Sequence, residues 1–302
     1  MGKADTPPDT IFGQFQTGSG GEPHGTRSIG ELIQDAKHLS PEDLEKIAEY
    51  QRAHGLRFGE AAIALGLATA EDVLQALSQQ FNYAVGKPDQ QSISDELVTL
   101  VQPFGHQAEA FRAMRSQFLL RARADAGAPR MPMAVVSTRP GDGKSFFCAN
   151  LAVSLAQLGG RVLLIDADLR GPRLHHVFGV DNSKGLTNVL SGRGGRGVIK
   201  SVHGIDNLFL IPVGVQPPNP LELVESTAFG LLLREVTVKF DHVVVDTPAI
   251  SLGVDGMVVA SRCGSALVVG RKNTSRMAEL RDLTARLQSA QTRLLGVVMN
   301  EF

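Results

Sequence analysis

The segment Thr138-Arg139-Pro140-Gly141-Asp142-Gly143-Lys144-Ser145 carries the plainest chemistry in this 302-residue chain. It matches the phosphate-binding pattern Gly-x4-Gly-Lys-Ser/Thr except at its first position, where Thr138 replaces glycine. Gly141 and Gly143 let backbone N–H groups turn toward an anion. A helix expected from Ser145 to about Leu158 adds the partial positive charge of its N-terminus. In such a loop Lys144 reaches the β- and γ-phosphates of a nucleotide, and the Ser145 hydroxyl holds Mg²⁺. Arg139, Pro140, Gly141, Asp142, Gly143, Lys144, Ser145 and Phe146 are therefore the candidate nucleotide contacts. Two acidic sites accompany them. Val162-Leu163-Leu164-Ile165 runs into Asp166-Ala167-Asp168, and Val243-Val244-Val245 runs into Asp246-Thr247-Pro248. Carboxylates just beyond buried strands lie on the carboxyl edge of a parallel sheet, where such sheets bind ligands. Asp246 has the position of an aspartate that holds Mg²⁺ directly or through water.

The elements that must position these residues follow from hydrophobic pattern. Apolar runs at 134–137, 162–165, 208–211, 243–245, 266–269 and 294–299 alternate with helical stretches. This predicts an α/β, P-loop NTPase-type domain over 106–302, its mostly parallel sheet covered by helices on both faces. A helix over 107–125 precedes it. Gly86, Pro88 and Pro103 mark 84–105 as a linker, and the Gly/Pro/Thr/Asp-rich residues 1–27 read as a flexible leader.

Residues 28–83 form a small all-α domain with an internal repeat. A shift of 29 positions superposes Gly30-Glu31 on Gly59-Glu60, Glu42-Asp43 on Glu71-Asp72, and Ile47 on Ala76. Ser40 and Thr69 each precede an acid by three residues, a helix-capping signature. This repeat resembles the N-terminal helical domain of type II secretion and pilus-assembly ATPases. Some of those proteins bind cyclic di-GMP through paired Arg-Leu-Gly motifs. Here Arg57-Phe58-Gly59 aligns with Ser28-Ile29-Gly30, so the resemblance implies a docking module.

Composition excludes several classes. The 30 Lys and Arg balance 31 Asp and Glu, leaving a formal charge of −1, which is unlike a globally basic nucleic-acid binder. Hydrophobic residues make up 43% of the chain, enough for a packed core. Cys148 and Cys263 have no metal-ligand spacing and suit a reducing cytosol. No signal peptide or membrane-spanning run is present, so a cytoplasmic protein is expected, reaching the inner membrane only through a partner.

The Asp166/Asp168 pair resembles the second acidic motif of bacterial tyrosine kinases of the capsule and exopolysaccharide type. Gly185-Leu186-Thr187-Asn188-Val189-Leu190-Ser191-Gly192, Pro217-Pro218-Asn219-Pro220-Leu221-Glu222-Leu223 and Leu295-Gly296-Val297-Val298-Met299-Asn300 also follow that family's pattern. So does the Glu109-x2-Arg112-x2-Arg115 helix, which the family uses to pack one subunit on the next. The resemblance implies ATP and Mg²⁺ as cofactors and protein-tyrosine phosphorylation as the activity. It gives Lys144, Asp166 and Asp168 catalytic roles, with Asp166 activating the acceptor hydroxyl. Ser145, Asp168 and Asp246 would form the Mg²⁺ shell, and Asn300 would contact adenine. The implied partner is a membrane polysaccharide co-polymerase that sets chain length, with homo-oligomers formed through Glu109, Arg112 and Arg115. The helical domain is similar to that of exosortase-linked kinases. His175 and His176 read as structural.

One departure leaves alternatives open. The chain has two tyrosines, Tyr50 and Tyr83, and none beyond them, so the family's C-terminal tyrosine cluster is missing. Tyr83, beside the linker, is the better candidate acceptor. An ATPase switch of the Min/Par type shares the sheet but has lysine where this chain has Arg139. A non-enzymatic ATP-binding adaptor is the third reading.

Overall fold

The computed structural model describes residues 28–69, 72–73, 76, 93–103, 105–123 and 130–301. The leader, Tyr83 and linker residues 84–92 lie outside them. The described residues fall into two compact units, one within Gln16–Lys87 and one within Pro88–Phe302.

The first unit contains helices α1 (Ile29–Lys37), α2 (Pro41–His54) and α3 (Phe58–Ala64). Its repeat is written in the caps. Ser28 pairs reciprocally with Glu31 at the start of α1, and Ser40 does the same with Asp43 at the start of α2. Twenty-nine residues on from the latter pair, Thr69 and Asp72 make the same two bonds, at 2.7 and 3.2 Å. The Arg57 N–H donates to Glu60 at 2.9 Å at the start of α3, so Arg57 serves as a helix cap. Buried positions repeat with the same period: Leu32 with Ala61, Ile33 with Ala62, Ile47 with Ala76. At Gly59 a Cβ would lie 2.6 Å from Val73 Cγ1, which explains why this position has no side chain.

The second unit opens with α4 (Val98–Val101) and α5 (His106–Arg123). There follow β1 (Met133–Ser137), α6 (Lys144–Ala156), β2 (Val162–Asp166), α7 (Leu174–Val177) and α8 (Leu186–Leu190). Next come β3 (Lys200–Ser201), β4 (Leu208–Ile211), α9 (Pro220–Glu225), α10 (Thr227–Lys239) and β5 (His242–Asp246). A 3₁₀ turn at Ile250–Leu252 leads to α11 (Asp255–Cys263), β6 (Ser265–Arg271), α12 (Met277–Ser289) and β7 (Arg293–Asn300). The sheet order is β3-β4-β2-β5-β1-β6-β7, parallel throughout except for β3 against β4. Every residue of β1 and β2 is buried, as both faces of the sheet demand. All six apolar runs are strands, and the two-residue β3 is the only addition among the described residues. The α/β architecture is as expected.

Part of the stretch read as a linker is instead a packed element of this unit. Leu97 and Leu100 are fully buried, and Asn150 of α6 holds the segment from below. Asn150 Oδ1 accepts from the Thr99 N–H at 3.1 Å and the Thr99 hydroxyl at 3.0 Å, while its Nδ2 donates to Glu96 O at 2.8 Å. A four-residue helix is too short to show a hydrophobic period, so nearby proline and glycine dominated the sequence pattern.

Candidate nucleotide and phosphoryl-transfer site

The phosphate loop bridges the end of β1 and the first turn of α6. Gly141 and Gly143 have φ of 81° and 94°, the left-handed region that glycine adopts without strain. Thr138, in place of the expected first glycine, is buried and directs its hydroxyl to Asp142 Oδ2 at 3.3 Å. The Arg139 N–H donates to the same oxygen at 2.9 Å. The loop is thus closed by a side chain. Lys144, nearly buried, rests its ammonium on Ser137 Oγ at 3.0 Å.

The acidic residues come together because of strand register. Asp166 of β2 pairs with Asp246 of β5, and Asp246 pairs in turn with Val135 of β1. Both carboxylates are buried. Asp166 Oδ1 accepts the Asp168 N–H at 3.2 Å and Oδ2 accepts the Leu174 N–H at 3.1 Å, so it also folds the loop after β2. Burial, and the Asp246 carboxylate beside it, push the Asp166 carboxyl well above the usual carboxylate range. Burial likewise pushes Asp246 up to about 6, although Lys144 and a hydrogen bond from Ser145 pull it down. Asp168 stands further out and accepts the N–H groups of Arg170 and Gly171 at 3.2 and 2.9 Å. Arg170 is held by a two-point ion pair to Asp255, at 2.9 and 3.2 Å.

A cavity of about 600 Å³ lies over this edge, within the range of small-molecule sites. Of the residues singled out by sequence, Pro140, Gly141, Gly143, Lys144, Ser145, Phe146, Asp168 and Asn300 line it. Asp166 and Asp246 stand behind the wall. Asp142 is turned away, and Arg139 faces outward in a two-point ion pair with Glu279 at 2.5 and 3.0 Å. Glu96, Gln107, Gly171, Arg173, Ala249, Leu252 and Arg271 complete the lining and were not singled out from sequence. Arg271 could have been, since it ends the apolar run of β6. Glu96 gave no signal.

Three carboxylates around one ammonium leave a net negative site that suits a divalent cation. Among the described residues no three ligating side chains converge into a closed metal cage. That combination fits Mg²⁺, which takes one or two carboxylates and completes its shell with phosphate and water.

The Glu109/Arg112/Arg115 helix points largely inward. Arg115 is buried and donates to Ser154 O of α6 at 2.7 Å, and Arg112 donates to Pro103 O at 2.7 Å and to Glu109 at 2.8 Å. Glu109 is exposed. The rings of His175 and His176 lie tilted against each other, their centroids 3.9 Å apart.

Residues 133–302 match the model of the CobQ/CobB/MinD/ParA nucleotide binding domain. The tyrosine-protein kinase CpsD of Streptococcus agalactiae is 32% identical over 194 residues, 64% of this chain and 82% of that protein. The tyrosine-protein kinase ptk of Acinetobacter johnsonii is 38% identical over 162 residues, 54% of this chain but only 22% of the relative. The chain thus spans less than a third of that longer protein. Among solved structures, the kinase domain of the Escherichia coli tyrosine kinase ETK superposes with a TM-score of 0.64 at 30% identity, over 68% of this chain and 79% of that one. The chain belongs to the CobQ/CobB/MinD/ParA nucleotide-binding family and, within it, to the bacterial tyrosine kinases.

Proposed function

We infer that this protein transfers the γ-phosphoryl group of ATP to tyrosine hydroxyls and so regulates the chain length and export of an exopolysaccharide. The observation that carries the reading is the Asp166/Asp168 pair at the end of β2, Asp166 in register with Asp246 and Asp168 lining the cavity with Lys144. Bound Mg²⁺ would supply charge neutralisation across the β- and γ-phosphates, held by Ser145, Asp168 and Asp246. Lys144 orients the terminal phosphates and offsets the charge that builds on them. Asp166, beside Asp168 at the end of β2, is assigned the proton of the acceptor hydroxyl, the role the family resemblance implies. Asn300, at the end of β7 in the cavity lining, is assigned to the base.

The partner is proposed to be a membrane co-polymerase of the polysaccharide assembly. Among the described residues no helix is long and apolar enough to cross a membrane, so attachment would run through that partner from the cytoplasmic side. The helical unit is proposed to dock in the manner of the type II secretion ATPase domains it resembles, as in exosortase-linked kinases. Self-association would use exposed Glu109 with Arg112 beside it, while Arg115 fixes the helix from within. Tyr50 is partly buried and stacked on His54 at 4.0 Å. Tyr83, or a tyrosine of the partner, is therefore the proposed acceptor.

The test is incubation of pure protein with labelled ATP and Mg²⁺, alone and with the co-polymerase, followed by phosphopeptide mapping. Phosphotyrosine on Tyr83 or on the partner is expected. Steady phosphate release with no phosphotyrosine would replace this reading with an ATPase switch, and nucleotide binding without turnover would leave an adaptor.

A further inference from the structure

Asp142 is the one residue between Pro140 and Ser145 that does not line the cavity. It is 1% exposed and lies between two left-handed glycines. One of its oxygens closes the loop through the Arg139 N–H and the Thr138 hydroxyl. The other, Oδ1, accepts the Ser275 hydroxyl at 3.0 Å, across 133 positions of sequence. Ser275 closes the turn after β6: its Oγ accepts the Arg271 N–H at 2.8 Å, and its own N–H donates to Arg271 O at 2.9 Å. A weaker parallel link runs from Asn300 Nδ2 to Asp142 O at 3.4 Å. Arg271 and Asn300, at the ends of β6 and β7, are the part of the cavity wall reached through these two links.

The geometry points to Asp142 as a positioning residue that sets the span between the phosphate loop and the β6/β7 wall, so that the two ends of one nucleotide are met at once. Ordinary loop closure needs only the bonds to Arg139 and Thr138. The bond to Ser275 adds nothing to the loop's own turn and ties it to a wall built from another part of the chain. A carboxyl group suits this task because its two oxygens take three donors at once, the Thr138 hydroxyl, the Arg139 N–H and the Ser275 hydroxyl. Removing the tie should leave phosphate recognition intact and weaken ligands that reach from loop to wall.

This inference rests on the reading that the cavity takes a nucleotide. The test is calorimetric titration of the full chain, with Mg²⁺, by ADP and separately by pyrophosphate, which lacks the nucleoside that would meet the wall. The Ser275→Ala variant should bind ADP about tenfold more weakly, equivalent to about 1.4 kcal/mol, with pyrophosphate affinity unchanged within about twofold. Ser275→Thr keeps the hydroxyl and should restore ADP affinity. Asp142→Ala also opens the loop and should lose both ligands; if it fails to fold, the serine variants carry the test. Equal losses of ADP and pyrophosphate in Ser275→Ala would mean general loop damage and overturn the inference, as would unchanged ADP affinity. A wild-type chain that binds neither ligand would overturn the nucleotide reading and this inference with it.

Discussion

At Lys144 one ammonium serves a loop, a strand end and a carboxylate. Replacing it by methionine keeps the buried alkyl volume and removes only the charge, so Lys144→Met should stay folded and lose about 10²–10³-fold in phosphate turnover. A coupled phosphate-release assay beside a melting curve checks both halves. The same change also removes the cation that pulls Asp246 down. Asp246 itself allows a test of sign. Its folded-state affinity for protons is raised, so in the metal-free protein its burial costs nothing below pH 4 and costs most above pH 6. Asp246→Asn should therefore gain relative to wild type as pH rises from 4 to 7, by about 3 kcal/mol for a shift of this size. Urea unfolding of both proteins across that range reads the difference. A constant difference would mean that the carboxyl is not perturbed.

The strands were legible because a parallel sheet buried on both faces leaves continuous apolar runs, and the ends of those runs placed Asp166, Asp168 and Asp246 on one edge. The loop was legible because glycines with positive φ and a lysine at fixed spacing have few other uses. What sequence could not show was the part of the site made by distant contacts. Glu96 and Thr99 meet α6 through Asn150, fifty-one positions from Thr99, and Thr99 also through Gln157 at the end of that helix, while Ser275 meets Asp142 across a longer gap. No local period encodes either. Asn150 gives the α4 segment a direct test. Asn150→Ala strands the buried Thr99 N–H and leaves the Thr99 hydroxyl only its long bond to the carbonyl of residue 150, which should cost about 2–3 kcal/mol in chemical denaturation. The loss should be matched by faster proteolysis near residues 93–103, and unchanged protection there would refute the account.

Over the whole chain, the question of assembly separates from that of stability on one helix. Arg115 is an internal strut, so Arg115→Ala should lower the melting temperature by about 2–4 °C for each kcal/mol lost, at every protein concentration. Glu109, with 70% of its side chain exposed, has no such duty. Glu109→Ala should leave melting unchanged and shift sedimentation toward smaller species. Equal melting losses in both variants would remove any special role for that face. The helical unit carries a different lesson in its buried positions. Where the first copy of the repeat supplies Leu32, Ile33 and Ile47, the second supplies Ala61, Ala62 and Ala76. At these three positions two halves of like shape divide the space unequally, one giving bulk and the other giving room. A chain made of two first halves would be overfilled at these positions, and one made of two second halves would have gaps there. A duplication that began as identical twins would, on these residues, have become an obligate pair.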